Sequence, residues 1–128
     1  MNEEKSRIKI LIVEDTISIR DIIRNILETE GYQVLLAENG KAGIEIAKTE
    51  NPDLVITDIM MPEVDGYHMI FHLINNEYLP KLPVFLIITV RSKEFDKGLS
   101  ERLGVVRYLT KPFRREELIK AVDEIFAR

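Results

Sequence analysis

The chain has no cysteine, which rules out a disulfide framework and a thiolate metal site and suits a reducing compartment. Its two histidines, His68 and His72, have the i, i+4 spacing of a metal pair but no obvious acidic third ligand and are expected on a solvated helix face, so a metal site is expected from oxygen donors. Long hydrophobic runs are also missing. The longest apolar tract, Val84 to Val90 with Thr89 inside it, falls far short of the roughly 20 residues that cross a bilayer. The lead-in Met1 to Arg7 is polar, and the run Ile8 to Val13 is interrupted by Lys9 and shorter than a signal peptide needs, so a cytoplasmic location without membrane association is expected. Basic clusters are scarce: 18 basic residues face 22 acidic ones, the net charge is −4, and only Arg114-Arg115 stand together. Direct nucleic-acid binding is disfavoured.

What is present is ordinary in amount and informative in order. At 128 residues, 45 % hydrophobic and 31 % charged, the sequence reads as one domain over residues 1–128, with 1–7 as a flexible N-terminal segment. A chain of this size buries about two-thirds of its unfolded surface. Short β-branched runs alternate with stretches of 3.6-residue periodicity, the pattern of repeated βα units. Strands are expected at Ile8–Val13, Tyr32–Ala37, Leu54–Thr57, Val84–Ile88 and Val105–Leu109. The first helix carries Ile19, Ile22, Ile23, Ile26 and Leu27 inward and stops at Gly31, and the second follows Asn39-Gly40 with Ile44 and Ala47 inward and ends at Asn51-Pro52. The third starts near Gly66 with Ile70, Leu73 and Ile74 on one face, the fourth spans Lys93 to Leu103, and the last presents Leu118, Ala121, Val122 and Ile125. Five such units wind into an α/β domain with a parallel sheet and helices on both faces.

The chemistry-bearing residues fall where strands end. Glu14-Asp15 follow the first strand, Asp58 the third, Thr89 the fourth and Lys111-Pro112 the fifth. Ligands of open α/β sheets bind beyond those carboxyl ends. Two like charges about 4 Å apart repel by roughly 4 kcal/mol at an effective dielectric of 20, so Glu14, Asp15 and Asp58 must take up protons or hold a cation. Oxygen donors favour Mg²⁺, or Mn²⁺, over zinc. A carboxylate can act as nucleophile towards a phosphoryl group, and Asp58 is the candidate; Lys111 and the Thr89 hydroxyl would then meet the phosphoryl oxygens.

The runs Ile10-Leu11-Ile12-Val13-Glu14-Asp15, Pro52 to Gly66 around Asp58, and Tyr108-Leu109-Thr110-Lys111-Pro112-Phe113 resemble the receiver domain of two-component response regulators, over nearly the whole chain. The resemblance implies a flavodoxin-like five-stranded sheet of order 2-1-3-4-5 with five helices. It implies that Asp58 accepts a phosphoryl group from a histidine kinase or histidine phosphotransfer protein, and that Glu14, Asp15, Asp58 and the Met60 backbone carbonyl bind Mg²⁺. It further implies that Thr89 and Tyr108 act as the switch pair, and that Lys111-Pro112 is a cis peptide. The face made by the helix over 93–103, the fifth strand and the last helix would meet a downstream partner or output domain, or a second copy. Such a domain is no conventional enzyme; it catalyses only its own phosphotransfer and dephosphorylation. A chain stopping at Arg128 fits either a free-standing receiver or a piece of a larger regulator.

Some positions depart from the family pattern. Val90 adds bulk where a small residue is usual, which implies slower access for water and small phosphodonors; Arg91 is charged and expected to be solvated; Gly43 replaces a common Ala and should only weaken its helix. An aspartyl-phosphate hydrolase would need a second acid two residues after Asp58, where Met60 stands. A flavodoxin would need a Ser/Thr/Gly-rich loop where Glu14-Asp15 offers negative charge. A receiver-like interaction module that is never phosphorylated is the other reading, but the acidic pair, the Asp and the Lys are all retained.

Overall fold

The computed structural model describes residues 3–59, 61, 65–75, 79–90 and 106–127. In chain order these form α1 (Glu3–Ser6), β1 (Lys9–Val13), α2 (Ile17–Thr29), β2 (Gln33–Ala37), α3 (Gly40–Glu50), β3 (Leu54–Thr57), α4 (Gly66–Ile74), β4 (Val84–Thr89), β5 (Val106–Thr110) and α5 (Arg115–Phe126). The strands make one parallel sheet in the order β2-β1-β3-β4-β5, the flavodoxin-like arrangement. Each expected strand is found, its ends moved by a residue at most. The helix expected over 93–103, with Arg91, lies outside the described residues.

Side chains alternate across a strand, so a wholly apolar strand can feed two cores at once. Ile10, Ile12, Leu54, Ile56, Leu86 and Ile88 face α2 and α5, packing with Ile23, Leu27, Leu118 and Val122. Leu11, Val13, Val55, Phe85 and Ile87 face the other way, onto Ala47 of α3 and Met69, Ile70 and Leu73 of α4. The stripe expected on α2 holds at Ile23, Ile26 and Leu27, but Ile22 is 53 % exposed. It sits at the stripe's edge, over an open apolar cavity of about 400 Å³ lined also by Ile19, Val90, Lys111, Pro112 and Phe113.

The helix ends follow local chemistry. Asn39 Oδ1 accepts the Ala42 amide at 2.8 Å to start α3, and Asn51, with φ of 51°, ends it in the left-handed conformation. Gly31, with φ of 103°, follows α2. Within the N-terminal segment, α1 brings Lys5 Nζ to 3.3 Å from Glu30 Oε1 and 3.5 Å from Asp123 Oδ1. The same ammonium lies 5.1 Å from the centre of the Tyr32 ring, whose hydroxyl donates to Asp123 at 2.6 Å. One aromatic side chain thus joins the start of the chain to its last helix.

Gly43 does more than weaken a helix. A Cβ there would stand 2.8 Å from Met69 Sδ and 2.9 Å from Val13 Cγ2, so the glycine lets α3 lie close on β1 and α4. Met69 has a flexible tip, but the β-branched Val13 is stiff. Alanine would gain about 1 kcal/mol of helix propensity against an overpacking cost of about 1–3 kcal/mol. Gly43→Ala is expected to lower the urea midpoint; a raised midpoint would show that propensity outweighs packing here.

Candidate functional site

The sheet register places the site. Val13 and Thr57 are the last paired residues of β1 and β3, so Glu14 and Asp58 leave the sheet side by side. The Glu14 amide donates to the Ala37 carbonyl at 3.1 Å and the Asp58 amide to that of Val13 at 3.4 Å, which extends the ladder one step into the site. On the other side, Thr89 pairs with Thr110 at the end of β4 and β5, and Lys111 comes next. Neighbouring strands lie about 4.8 Å apart, so Lys111 must reach past β4 to meet β3, which its long flexible stem allows. Its Nζ donates to Asp58 Oδ2 at 2.8 Å and to Glu14 Oε1 at 3.4 Å. The Lys111-Pro112 bond is cis, as the resemblance implied.

Glu14 is only 2 % exposed, and burial pushes its carboxyl above the ordinary value. The Asp58 charge and a hydrogen bond with Asp15 push the same way, while the Thr16 amide, donating to Oε2 at 3.1 Å, and Lys111 oppose them. For Lys111, burial alone would lower the ammonium's pKa, but Asp58 and Glu14 outweigh burial and hold it above the ordinary lysine value. The ammonium therefore stays charged and stands where a cation is needed. Asp15 is exposed at the rim.

The donor set has the chemistry of a hard-cation site: carboxylate oxygens from Glu14, Asp15 and Asp58, without sulfur or imidazole. Among the described residues no three acidic or histidine side chains already form a metal cage. Lys111 instead stands in as the counter-charge between two of the three carboxylates. The residues fit Mg²⁺ in charge and donor type, with Lys111 sharing the neutralisation. Met60, whose carbonyl the resemblance adds to the set, lies outside the described residues, as does Pro62; the Thr89 side chain is likewise undescribed. His68 and His72 are exposed and away from the cluster, with His68 Nδ1 3.1 Å from Asp65 Oδ1.

Two supporting contacts were hidden in the sequence. Arg20, whose guanidinium donates to the Glu14 carbonyl at 2.9 Å, pins the acidic turn to α2. A cation in a helix's first turn runs against the helix dipole, and that anomaly was the available signal. Gly66, expected near the start of its helix, does open α4, and its amide donates to the Ile59 carbonyl at 3.0 Å; its closeness to Asp58 is what the sequence did not show. A Cβ at Gly66 would collide with the Asp58 backbone carbonyl oxygen, so the helix start is pressed against the segment that carries Asp58.

A flavodoxin-like sheet with a carboxylate pair, a second aspartate and a lysine gathered at its strand ends defines a class of α/β domain whose charged site lies beyond the carboxyl ends of its strands. The chain belongs to the response regulator receiver domain family, whose profile matches residues 10–123. It is 38 % identical over 119 residues to protein PilH of Pseudomonas aeruginosa, covering 93 % of this chain and 98 % of PilH. It is also 38 % identical over 120 residues to the alkaline phosphatase synthesis transcriptional regulatory protein PhoP of Bacillus subtilis, covering 94 % of this chain and 49 % of PhoP. The solved structure of chemotaxis protein CheY4 of Vibrio cholerae superposes with a TM-score of 0.84 at 27 % identity, covering 92 % of this chain and 98 % of that one. The chain thus spans nearly all of some relatives and about half of others. Among the described residues no helix is long and apolar enough to cross a membrane.

Removing the ammonium leaves Glu14 and Asp58 facing each other. Breaking a buried ion pair by deleting one partner costs about 3–5 kcal/mol, and partial exposure of this one reduces that to about 1–3 kcal/mol. Lys111→Met is expected to lower stability at pH 7 by that amount, and added MgCl₂ should recover part of the loss. Unchanged stability in urea melts would mean the ammonium is not neutralising the pair.

Proposed function

We propose that Asp58 is a phosphoacceptor in two-component signalling, taking its phosphoryl group from a histidine kinase or a histidine phosphotransfer protein. The observation that carries this reading is the 2.8 Å contact between Lys111 Nζ and Asp58 Oδ2, with Glu14 sharing the same ammonium at 3.4 Å. The Asp58 carboxylate attacks the phosphorus of a phosphoimidazole; an O–P bond forms, the N–P bond breaks, and the imidazole nitrogen leaves with the bonding pair. The product is an acyl phosphate, and attack of water on its phosphorus later returns the carboxylate and inorganic phosphate. Catalysis of this kind is chiefly positioning and charge neutralisation. Lys111 would follow the charge from the carboxylate onto the phosphoryl oxygens, and the Thr89 hydroxyl would donate to the same group.

Glu14, Asp15, Asp58 and the Met60 carbonyl would hold Mg²⁺, or Mn²⁺. When bound, the ion supplies positive charge that offsets the carboxylates and the incoming phosphoryl oxygens. Glu14, buried and fixed by the Thr16 amide and Arg20, is the stationary member of that set; exposed Asp15 is the adjustable one. A downstream protein or output domain, or a second copy of the chain, would read the change on a face that includes β5 and α5. For the phosphoryl group to bias that face, it must contact one arrangement better than the other.

Incubation with acetyl phosphate and Mg²⁺ should add one phosphoryl mass to the wild-type protein and none to Asp58→Asn. Equal labelling of the two would place the chemistry elsewhere. Val90 is 72 % exposed and lines the open apolar cavity together with Lys111. Val90→Ala is expected to raise both the rate of labelling and the rate of hydrolysis; unchanged rates would remove Val90 as a barrier.

A further inference from the structure

The Tyr67 and Tyr108 hydroxyl oxygens lie 2.9 Å apart, a hydrogen bond in which either can be the donor. The two residues are far apart in sequence, one in the first turn of α4 and the other in β5, and each half-buried ring packs on the core that contains Ile87, Met69 and Ile70. Tyr67 follows Gly66 directly, and Gly66 is the residue pressed against the Asp58 carbonyl. Tyr108 is opposite Ile87 on β5, an edge strand whose one sheet neighbour is β4. Lys111 follows at the end of that strand and returns to Asp58 at 2.8 Å. The contacts therefore close a ring: Asp58 to Lys111, back along β5 to Tyr108, across to Tyr67, and through Gly66 to the segment carrying Asp58.

We propose that the Tyr67 hydroxyl is a positioning group that holds Tyr108, and with it edge strand β5, to the phosphoacceptor segment, favouring the unphosphorylated arrangement. The inference rests on the reading of Asp58 as phosphoacceptor. Asp58 and Tyr67 lie on one side of the ring, Lys111 and Tyr108 on the other, and the ammonium and the hydroxyl pair are its two cross-links. A phosphoryl group on Asp58 redirects the first cross-link, because Lys111 must turn towards new oxygens. The second then resists any accompanying shift of β5. Sites joined in this way are coupled in both directions, so loosening the tyrosine link must ease occupancy at Asp58.

The test uses beryllofluoride with excess Mg²⁺ as a phosphoryl mimic, titrated calorimetrically into wild type, Tyr67→Phe, Tyr108→Phe, the double variant and Asp58→Asn. A hydrogen bond of ordinary net strength corresponds to about a five-fold change in an equilibrium constant. Tyr67→Phe is expected to bind the mimic about five-fold tighter than wild type, and to gain markedly less once Tyr108 is already Phe. A Tyr67→Phe affinity equal to or weaker than wild type, or an equal gain on the Tyr108→Phe background, overturns the proposal. Urea midpoints of the same variants check folding, since a merely structural hydroxyl would move the midpoint and leave the mimic's affinity in place. Wild type binding no better than Asp58→Asn would instead overturn the phosphoacceptor reading, and the tyrosine link would fall with it.

Discussion

One ammonium group holds the strand-end site together. Glu14 and Asp58 leave adjacent strands side by side because Val13 pairs with Thr57, and Lys111 crosses from β5 to stand between them. Without a positive charge there, two carboxylates at the mouth of a doubly covered sheet would repel or take up a proton. The lysine is itself fixed by where β5 ends, and β5 is fixed by pairing with β4 and packing against both cores. The charge pattern at the site is therefore a consequence of sheet register more than of any loop's own preference.

Around that pair the close contacts are made by small or tethering residues. Gly66 lets α4 start against the Asp58 backbone, and Gly43 lets α3 settle on Val13, the residue just before Glu14. Arg20 ties the Glu14 carbonyl to α2, and the tyrosine pair ties α4 to β5. These contacts bring three helices and two strands to bear on a small acidic cluster. An arrangement this constrained can convert a change of charge at one carboxylate into a change of shape at a sheet edge, provided that the two shapes bind the new group unequally.

Much of this was legible in the sequence. Leu54–Thr57 reads as a strand buried on both faces and is one, and the strand-end positions of Glu14, Asp58 and Lys111 follow once the strands are placed. The Asn39 cap was visible as part of the Asn39-Gly40 signal. What was hidden depends on distances between elements remote in the chain. Gly43 looked like a loss of helix propensity because nothing local reveals Met69 and Val13 beneath it. Ile22 looked like part of an apolar stripe because periodicity cannot say where the sheet's cover ends. Lys5 looked like part of a polar lead-in because its partners, Glu30, Tyr32 and Asp123, lie far along the chain. Tyr67 gave no signal, since its partner lies on a strand that only the topology brings near.

The central claim is that Lys111 keeps a paired set of carboxylates ready for a cation and a phosphoryl group on Asp58. A crystal structure of the protein grown with Mg²⁺ and beryllofluoride tests it most directly. The expected result is beryllofluoride attached to the Asp58 carboxylate, Lys111 Nζ turned onto its fluorines, and Mg²⁺ held among Glu14, Asp15 and Asp58. An Asp58 carboxylate left bare at saturating concentrations, with Lys111 still on Oδ2 and no ion between the acids, would contradict it.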